Sequence, residues 1–313
     1  MTFRVLISAP YFLPEIDRFK TFFDENNIEP VIAPVEERLE EAELLELISD
    51  IDGIVCGDDR LTARVFDAAP RLKVVSKWGT GIDSIDSAAA AARNIAVCRT
   101  PDAFTEPVAD TVLGYILCFA RNLPFMDTAM KQGTWKKIPG RAMNESIVGV
   151  VGVGAIGCAI LRRAAPFGPR LLGYDPADID PKTIAEVGVE MTSLEDLLAR
   201  SDFVSINCDL NGSSFHLMNA ETFALMQSHA IIVNAARGPV IDEKDLISAL
   251  QSGAIAGAAM DVFEDEPLPV DSPLRAMDNV LIAPHNSNSS RMAWERVHLN
   301  TLNQLVSELE KRA

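Results

Sequence analysis

The 313-residue sequence contains four histidines, few enough that each can be weighed by its neighbours. His298 falls in an amphipathic helical stretch, His229 precedes the apolar run AIIVNAA, and His216 follows the polar loop NGSS, so these three read as ordinary structural residues. His285 differs, because it closes the strand candidate VLIAPH and is followed by the polar run NSNSS. It stands at the carboxyl end of a strand, the edge on which open α/β sheets place their ligands. Two other strand ends carry complementary groups: AIIVNAAR ends at Arg237 before Gly238, and AAMDVFEDEP has Asp261 and Glu266 just past its strand. Position alone also permits an ordinary surface ion pair between Arg237 and Glu266. Brought together, however, the three groups have a distinct chemistry. Imidazole suits reversible proton transfer near neutrality. A carboxylate beside it favours the imidazolium form. A guanidinium is permanently charged, and its planar fork matches a carboxylate.

A second constellation lies at residues 150–157, VVGVGAIG, with glycines at 152, 154 and 157 in a G-x-G-x-x-G pattern. Alone the pattern is weak, because glycine-rich turns after buried strands are common. Its context strengthens it. SIVGVV upstream reads as a buried parallel strand, and AIGCAILRRAAPF downstream has apolar residues at helical spacing. In such a turn Gly152 permits a tight bend, Gly154 lets backbone approach a pyrophosphate, and Gly157 lets helix and strand pack closely. The helix N-terminus then offers unpaired N–H groups and a positive dipole end to phosphate. The next strand, RLLGYD, ends at Asp175, which is 175 − 157 = 18 residues past the last glycine. That spacing suits an acid that binds the adenosine ribose. A carboxylate there repels a 2′-phosphate, and Pro176, Ala177 and Asp178 bring no arginine to receive one, so NAD is expected over NADP.

The elements that position these residues follow a β-α-β rhythm. Residues 1–100 alternate apolar runs (FRVLISA, PVIAP, DGIVCG, LKVVSKW, IAVCRT) with helical patterns, as in a parallel sheet covered by helices. The rhythm breaks over 106–132, a long helical stretch interrupted by Pro124 whose apolar residues cover more than one face. Such a surface calls for burial beyond its own sheet. From residue 146 the rhythm restarts, with VGVVGVG, RLLGYD, FVSINC, AIIVNAA, IAGAAMDV and VLIAPH as six strand candidates. A final amphipathic segment, SSRMAWERVHLNTLNQLVSELEKR, is expected to return to the first domain. A nucleotide domain at 100–287 inserted between 1–99 and 288–313 accounts for this order.

Bulk properties narrow the function classes. A net charge of −17 opposes nucleic acid and anionic membranes, so any site for an anion must be local. The cysteines at 56, 98, 118, 158 and 208 are odd in number and widely spaced, as reduced core thiols would be, not as a disulfide framework or a metal site. The opening MTFRVLISAPYF lacks the design of a secretory leader, and no apolar run suits a membrane span. A cytoplasmic location is the expectation.

The ordered set WGTGID (78–83), GVGAIG (152–157), NAARG (234–238), DVFEDEP (261–267) and APH (283–285) resembles the D-isomer-specific 2-hydroxyacid dehydrogenase family over nearly the whole chain. The resemblance implies an α/β fold of two doubly wound parallel-sheet domains, a Rossmann NAD-binding domain inserted in a flavodoxin-like substrate domain. It implies hydride exchange between a D-2-hydroxy acid and NAD, with a homodimer formed through 106–126 and no metal. Arg237 would hold the substrate carboxylate and polarise the 2-oxo group, His285 would act as acid/base, and Glu266 would be its partner. Backbone amides of Trp78, Gly79 and Thr80 would help hold the carboxylate. Cofactor contacts would come from Gly152, Gly154, Ala155, Ile156, Gly157, Asp175, Cys208, Ala235, Ala236, Arg237, Asp261 and His285.

Two features depart from familiar members. APRLKVV and GTGID resemble the 3-phosphoglycerate dehydrogenase branch, but its arginine and serine after the third strand are replaced here by Gly57, Asp58 and Asp59. A dianionic phosphate would meet like charge unless Arg60 or Lys77 compensates, so a small or polar non-phosphorylated acid is expected. HNSNSS replaces the glycine-rich sequence that follows the histidine in many members. The chain ends soon after Leu302, so no C-terminal regulatory domain is expected. A rival reading is a non-enzymatic NAD(H)-sensing protein resembling dinucleotide-dependent corepressors. An S-adenosylmethionine enzyme would leave the arginine, glutamate and histidine unexplained.

Overall fold

The computed structural model describes residues 2–312. Two compact units make up the chain: residues up to Phe104 together with those from Ser290 onward, and Thr105–Ser289.

The first unit is built on β1 (Phe3–Ile7), β2 (Ile28–Ile32), β3 (Gly53–Cys56), β4 (Val74–Lys77) and β5 (Ala96–Cys98). They pair in the order β2-β1-β3-β4-β5, all parallel. This is the flavodoxin-like order, and its direction reverses between β1 and β3. Every residue of β3 and β4 is buried, as continuous apolar runs require when helices cover both faces. Helix Arg291–Lys311 buries Val297, His298, Leu302, Leu305 and Leu309 on this unit's core. Gly53 lets it lie close, since a side chain there would meet Leu305 Cδ1 at 2.9 Å.

The second unit contains β6 (Ile147–Val151), β7 (Arg170–Tyr174), β8 (Glu190–Met191), β9 (Phe203–Ile206), β10 (Ile231–Asn234), β11 (Gly257–Met260) and β12 (Val280–Ile282). Their order is β12-β11-β10-β9-β6-β7-β8, again all parallel. The six strands expected from the sequence are all present, but the sheet has seven. The missed β8 is a two-residue edge strand, half exposed, with no apolar run to announce it. It occupies the third place of the Rossmann order, so β12 is an added strand beyond the usual six. The direction of winding reverses between β6 and β9.

The stretch 106–132 forms two helices, Thr105–Ala120 and Leu123–Lys131. The break falls at Asn122, which is left-handed at φ 54°, and Pro124 sits in the first turn of the second helix, where proline is tolerated. The first helix buries Val108, Ala109, Val112, Ile116 and Phe119. Among the described residues, no helix is long and apolar enough to cross a membrane.

Candidate active site

At the winding reversal of the second unit, β6 runs into the glycine loop. Gly152 has φ +92°, and a side chain on it would come within 2.7 Å of the Cys208 amide nitrogen. A side chain on Gly157 would come within 2.1 Å of the Gly152 carbonyl oxygen. Both glycines are thus demanded by the chain's own packing. Gly154 is not: a Cβ there would meet nothing within 4 Å. It caps helix Ala155–Ala164 without any side-chain hydrogen bond, so no capping side chain serves the first N–H groups of that helix, from Ala155 and Ile156 onward. An uncapped N-terminus behind a glycine that packing does not require fits a pyrophosphate.

Asp175 lies beside this loop at the end of β7. Its Oδ2 accepts the Val153 N–H at 2.8 Å and its Oδ1 the Ala177 N–H at 2.9 Å. A carboxylate has about four acceptor sites, so two remain suited to a ribose diol. Cys208 follows β9, and burial pushes its thiol up to about 11. It remains a neutral wall of the crevice, not a nucleophile. NAD therefore fits the residues present: uncapped amides for its phosphates, a carboxylate for its ribose, and small or apolar side chains between.

The next strand ends bring the reactive groups. Beyond β10, the buried Asn234 folds the turn back on itself: its Oδ1 accepts the Ala236 N–H at 3.0 Å and its Nδ2 donates to the Arg237 carbonyl at 2.9 Å. Ala235 is buried in that turn, and the Arg237 guanidinium donates to the Ala236 carbonyl at 2.9 Å. Gly238 then packs directly on the acid-bearing turn, because a side chain there would overlap the Phe263 carbonyl at 1.8 Å. In that turn, Glu266 Oε1 accepts the Phe263 N–H at 2.9 Å, while Oε2 lies 3.0 Å from Nδ1 of His285. With Nδ1 donating to Glu266, Nε2 is the ring nitrogen outside this pair.

His285 has φ 49°, a conformation that costs a non-glycine residue roughly 1–3 kcal/mol. Asp261 holds it there. The Asp261 carbonyl accepts the His285 N–H at 2.7 Å, and its fully buried carboxylate accepts the Asn286 and Ser287 N–H groups, each at 2.8 Å. A second brace comes from His216, whose Nε2 is 2.5 Å from Glu264 Oε1 and whose Nδ1 is 3.3 Å from Asp242 Oδ2. It ties down the turn two residues before Glu266. Sequence reasoning singles out Arg237, Glu266 and His285 but not the turn made by Asn234, whose signal is the local motif NAARG, nor the bracing by His216, whose partner lies 48 residues away and has no local signature.

In the first unit, the Trp78–Gly79–Thr80 segment follows β4. The expectation that all three amides are available for a carboxylate is corrected at Trp78. Its N–H donates to the Cys56 carbonyl at 2.9 Å, extending the ladder between β3 and β4 by one residue. Gly79 (φ +133°) then turns the chain out of the sheet, and Thr80 Oγ1 donates to the Thr100 carbonyl at 2.8 Å. The Trp78 ring is buried among Tyr11, Phe104 and Trp294, and its Nε1 donates to Nδ1 of His298 at 2.9 Å. Burial holds the His298 imidazole below its ordinary range, in the neutral form that accepts this bond. His229 accompanies Arg141 at the carboxylate of Asp202, which also accepts the Ile147 N–H, at the start of β6 and far along that strand from the glycine loop.

Comparison with known proteins agrees with this construction. Residues 113–287 match the family model for the D-isomer specific 2-hydroxyacid dehydrogenase, NAD binding domain. A D-3-phosphoglycerate dehydrogenase of Methanocaldococcus jannaschii is 41% identical over 260 residues, covering 82% of this chain and 49% of that protein. A glyoxylate reductase of Thermofilum pendens is 39% identical over 276 residues, covering 86% of this chain and 81% of that protein. The chain thus spans about half the length of that phosphoglycerate dehydrogenase and most of that reductase. The crystal structure of D-lactate dehydrogenase from Aquifex aeolicus, complexed with NAD and lactic acid, superposes with a TM-score of 0.87 at 25% identity, covering 98% of this chain and 96% of that one.

Proposed function

Since the chain belongs to the D-isomer-specific 2-hydroxyacid dehydrogenase family, we propose that it interconverts a D-2-hydroxy acid and its 2-oxo acid with NAD as the hydride partner. The observation that carries this reading is the 3.0 Å bond between His285 Nδ1 and Glu266 Oε2, on the sheet edge that also bears Arg237. The glycine loop and Asp175 would hold NADH, which when bound would supply the hydride for C2 of the 2-oxo acid. His285 delivers the matching proton from Nε2 to the 2-oxygen, so carbon gains hydride, oxygen gains a proton and a hydroxyl results. Glu266 favours the imidazolium that must be present beforehand. Arg237 receives the substrate carboxylate and polarises the 2-oxo group, and its fixed charge persists through the cycle. Gly79 and Thr80 are proposed to offer N–H groups to the same carboxylate.

Cofactor binding is assigned to Gly152, Gly154, Ala155, Ile156 and Gly157 for the pyrophosphate and Asp175 for the ribose. Cys208, Ala235, Ala236, Arg237, Asp261 and His285 would line the remainder. Exposed Leu123, at 50%, supports a homodimer through 106–126, with exposed Met130 and Trp135 following that stretch. Five free cysteines support a reducing compartment, the cytoplasm.

The test is the fall in reduced-nicotinamide absorbance when a panel of 2-oxo acids is offered with NADH or NADPH. Turnover of at least one acid, faster with NADH, is the expected result. Tight NADH binding with no turnover of any acid would replace the dehydrogenase with a dinucleotide-sensing protein.

A further inference from the structure

Among the described residues, the histidines with left-handed backbone are His285, at φ 49°, and His216, at φ 50°. Such a conformation costs roughly 1–3 kcal/mol, which bonds to the surroundings must offset. At His285 those bonds come from Asp261. At His216 they reach both turns that carry the reactive groups. Its N–H donates to the Pro239 carbonyl at 2.9 Å, two residues past Arg237, and the nearby Met218 N–H donates to the Val240 carbonyl at 3.0 Å. Its own carbonyl accepts Asn219 Nδ2 at 3.0 Å. The backbone is thus joined to the Arg237 turn. The ring engages the other turn: Nε2 lies 2.5 Å from Glu264 Oε1, two residues before Glu266, and Nδ1 lies 3.3 Å from Asp242 Oδ2. Asp242 is itself fixed as the N-cap of helix Glu243–Ser252, its Oδ1 accepting the Asp245 N–H at 3.1 Å. Phe215 stacks on the imidazole, with 3.9 Å between ring centroids and 19° between planes, which restricts its swing.

We propose that His216 is a positioning residue of the reaction: anchored on the Arg237 turn, its imidazole holds the Glu264–Glu266 turn so that the Glu266 carboxylate meets the His285 ring. The proposal rests on the dehydrogenase reading above. One anchor of the acid-bearing turn is the contact of Gly238 with the Phe263 carbonyl, and Glu266 Oε1 closes the turn by accepting the Phe263 N–H at 2.9 Å. An anchor at one end lets a turn pivot. A second, from the imidazole to Glu264, removes the pivot. The bond from the Glu264 N–H to Glu243 Oε2 is long at 3.4 Å and adds little restraint. Restraint matters here because Glu266 Oε2 must stay at the 3.0 Å it keeps from His285 Nδ1. A displacement of about 1 Å in a reactive constellation costs on the order of 10²-fold in rate.

The experiment measures NADH-dependent reduction of glyoxylate, 2-oxopropanoate, 3-hydroxy-2-oxopropanoate and its 3-phosphate, with kcat and KM taken for whichever acid the wild type reduces fastest. His216→Asn keeps a residue that tolerates the left-handed conformation but is too short to reach Glu264. Its kcat per NADH-binding site should fall by about 10–10²-fold, with the Kd for NADH unchanged within about twofold. Glu264→Ala should do the same, whereas Glu264→Gln, which leaves an oxygen facing the ring, should keep kcat within about threefold of wild type. In a Glu266→Gln background, where the carboxylate to be aimed is gone, His216→Asn should cost no more than about threefold. A merely structural residue would cost the same in both backgrounds. If His216→Asn fails to fold, the contrast between Glu264→Ala and Glu264→Gln decides. Unchanged kcat in His216→Asn, an equal loss in the two backgrounds, or a Glu264→Gln as damaged as Glu264→Ala would overturn the proposal alone. A wild type that reduces none of these acids would overturn the dehydrogenase reading with it.

Discussion

At the winding reversal of the second unit, β6 is followed by glycines and a helix whose N-terminus has no side-chain cap; at that of the first unit, β3 is followed by Gly57, Asp58 and Asp59. Both edges belong to parallel sheets of the same general construction, yet one ends in glycines and backbone N–H groups and the other in carboxylates. Carboxylates are present at both. In the second unit Asp175, Asp261 and Glu266 each accept backbone N–H groups, at 2.8, 2.8 and 2.9 Å. They brace loops. Asp59 does likewise in the first unit, but Asp58 keeps a part-exposed carboxylate beside a buried lysine. The fold thus decides where a ligand can lie, and strand-end residues decide which ligand.

The largest effect should come from His285→Ala, which removes proton transfer while leaving the glycine loop untouched. Turnover should fall by roughly 10²–10⁴. NADH affinity, read by quenching of protein fluorescence, should hardly change; loss of affinity in step with turnover would mean that the imidazole is chiefly a cofactor contact. Arg237→Lys should follow, because a point charge keeps attraction for a carboxylate but loses the fork. Both KM and kcat should suffer, with kcat/KM down by about 10–10²-fold. A change confined to KM would remove the polarising role.

A further effect concerns the first unit's edge and is read in stability. Burial raises the Asp59 carboxyl from 3.8 to about 6. A raised folded-state value means that its favourable contribution is full below about pH 4 and is lost as pH climbs through 6. Asp59→Asn retains an oxygen for the Leu39 N–H and an amide that can donate to Ser8, but carries no charge to bury. Its unfolding free energy relative to wild type should rise by about 2–3 kcal/mol between pH 4 and pH 7. Urea unfolding at the two pH values measures this. Parallel curves would show that Asp59 is not desolvated as its burial implies.

Features written in contiguous residues are legible in the sequence itself. VVGVGAIG announces strand, turn and helix together, because Gly152 and Gly157 answer local steric demands and Gly154 opens the helix, and His285 stands out as the histidine ending an apolar run. Glu190–Met191 was invisible because two edge residues need no apolar pattern. The bracing of His285 by Asp261 depends on a backbone approach across 25 residues, and that of the acid turn by His216 on one across 48. No periodicity encodes either. The Trp78 amide was misjudged for a related reason: whether β4 stops at residue 77 or carries its bonding one step further is decided by the neighbouring strand.

The central claim is that Glu266 and His285 work as one acid–base unit, and the pH profile of 2-oxo acid reduction by Glu266→Gln tests it most directly. Glutamine keeps the shape and removes the negative charge. Reduction needs the imidazolium, and loss of its anion makes that form less favourable, so the profile, measured with hydride transfer rate-limiting, should shift to lower pH by roughly one to three units. A profile superimposable on that of the wild type would contradict the account, because the carboxylate 3.0 Å from the ring would then have no part in its protonation.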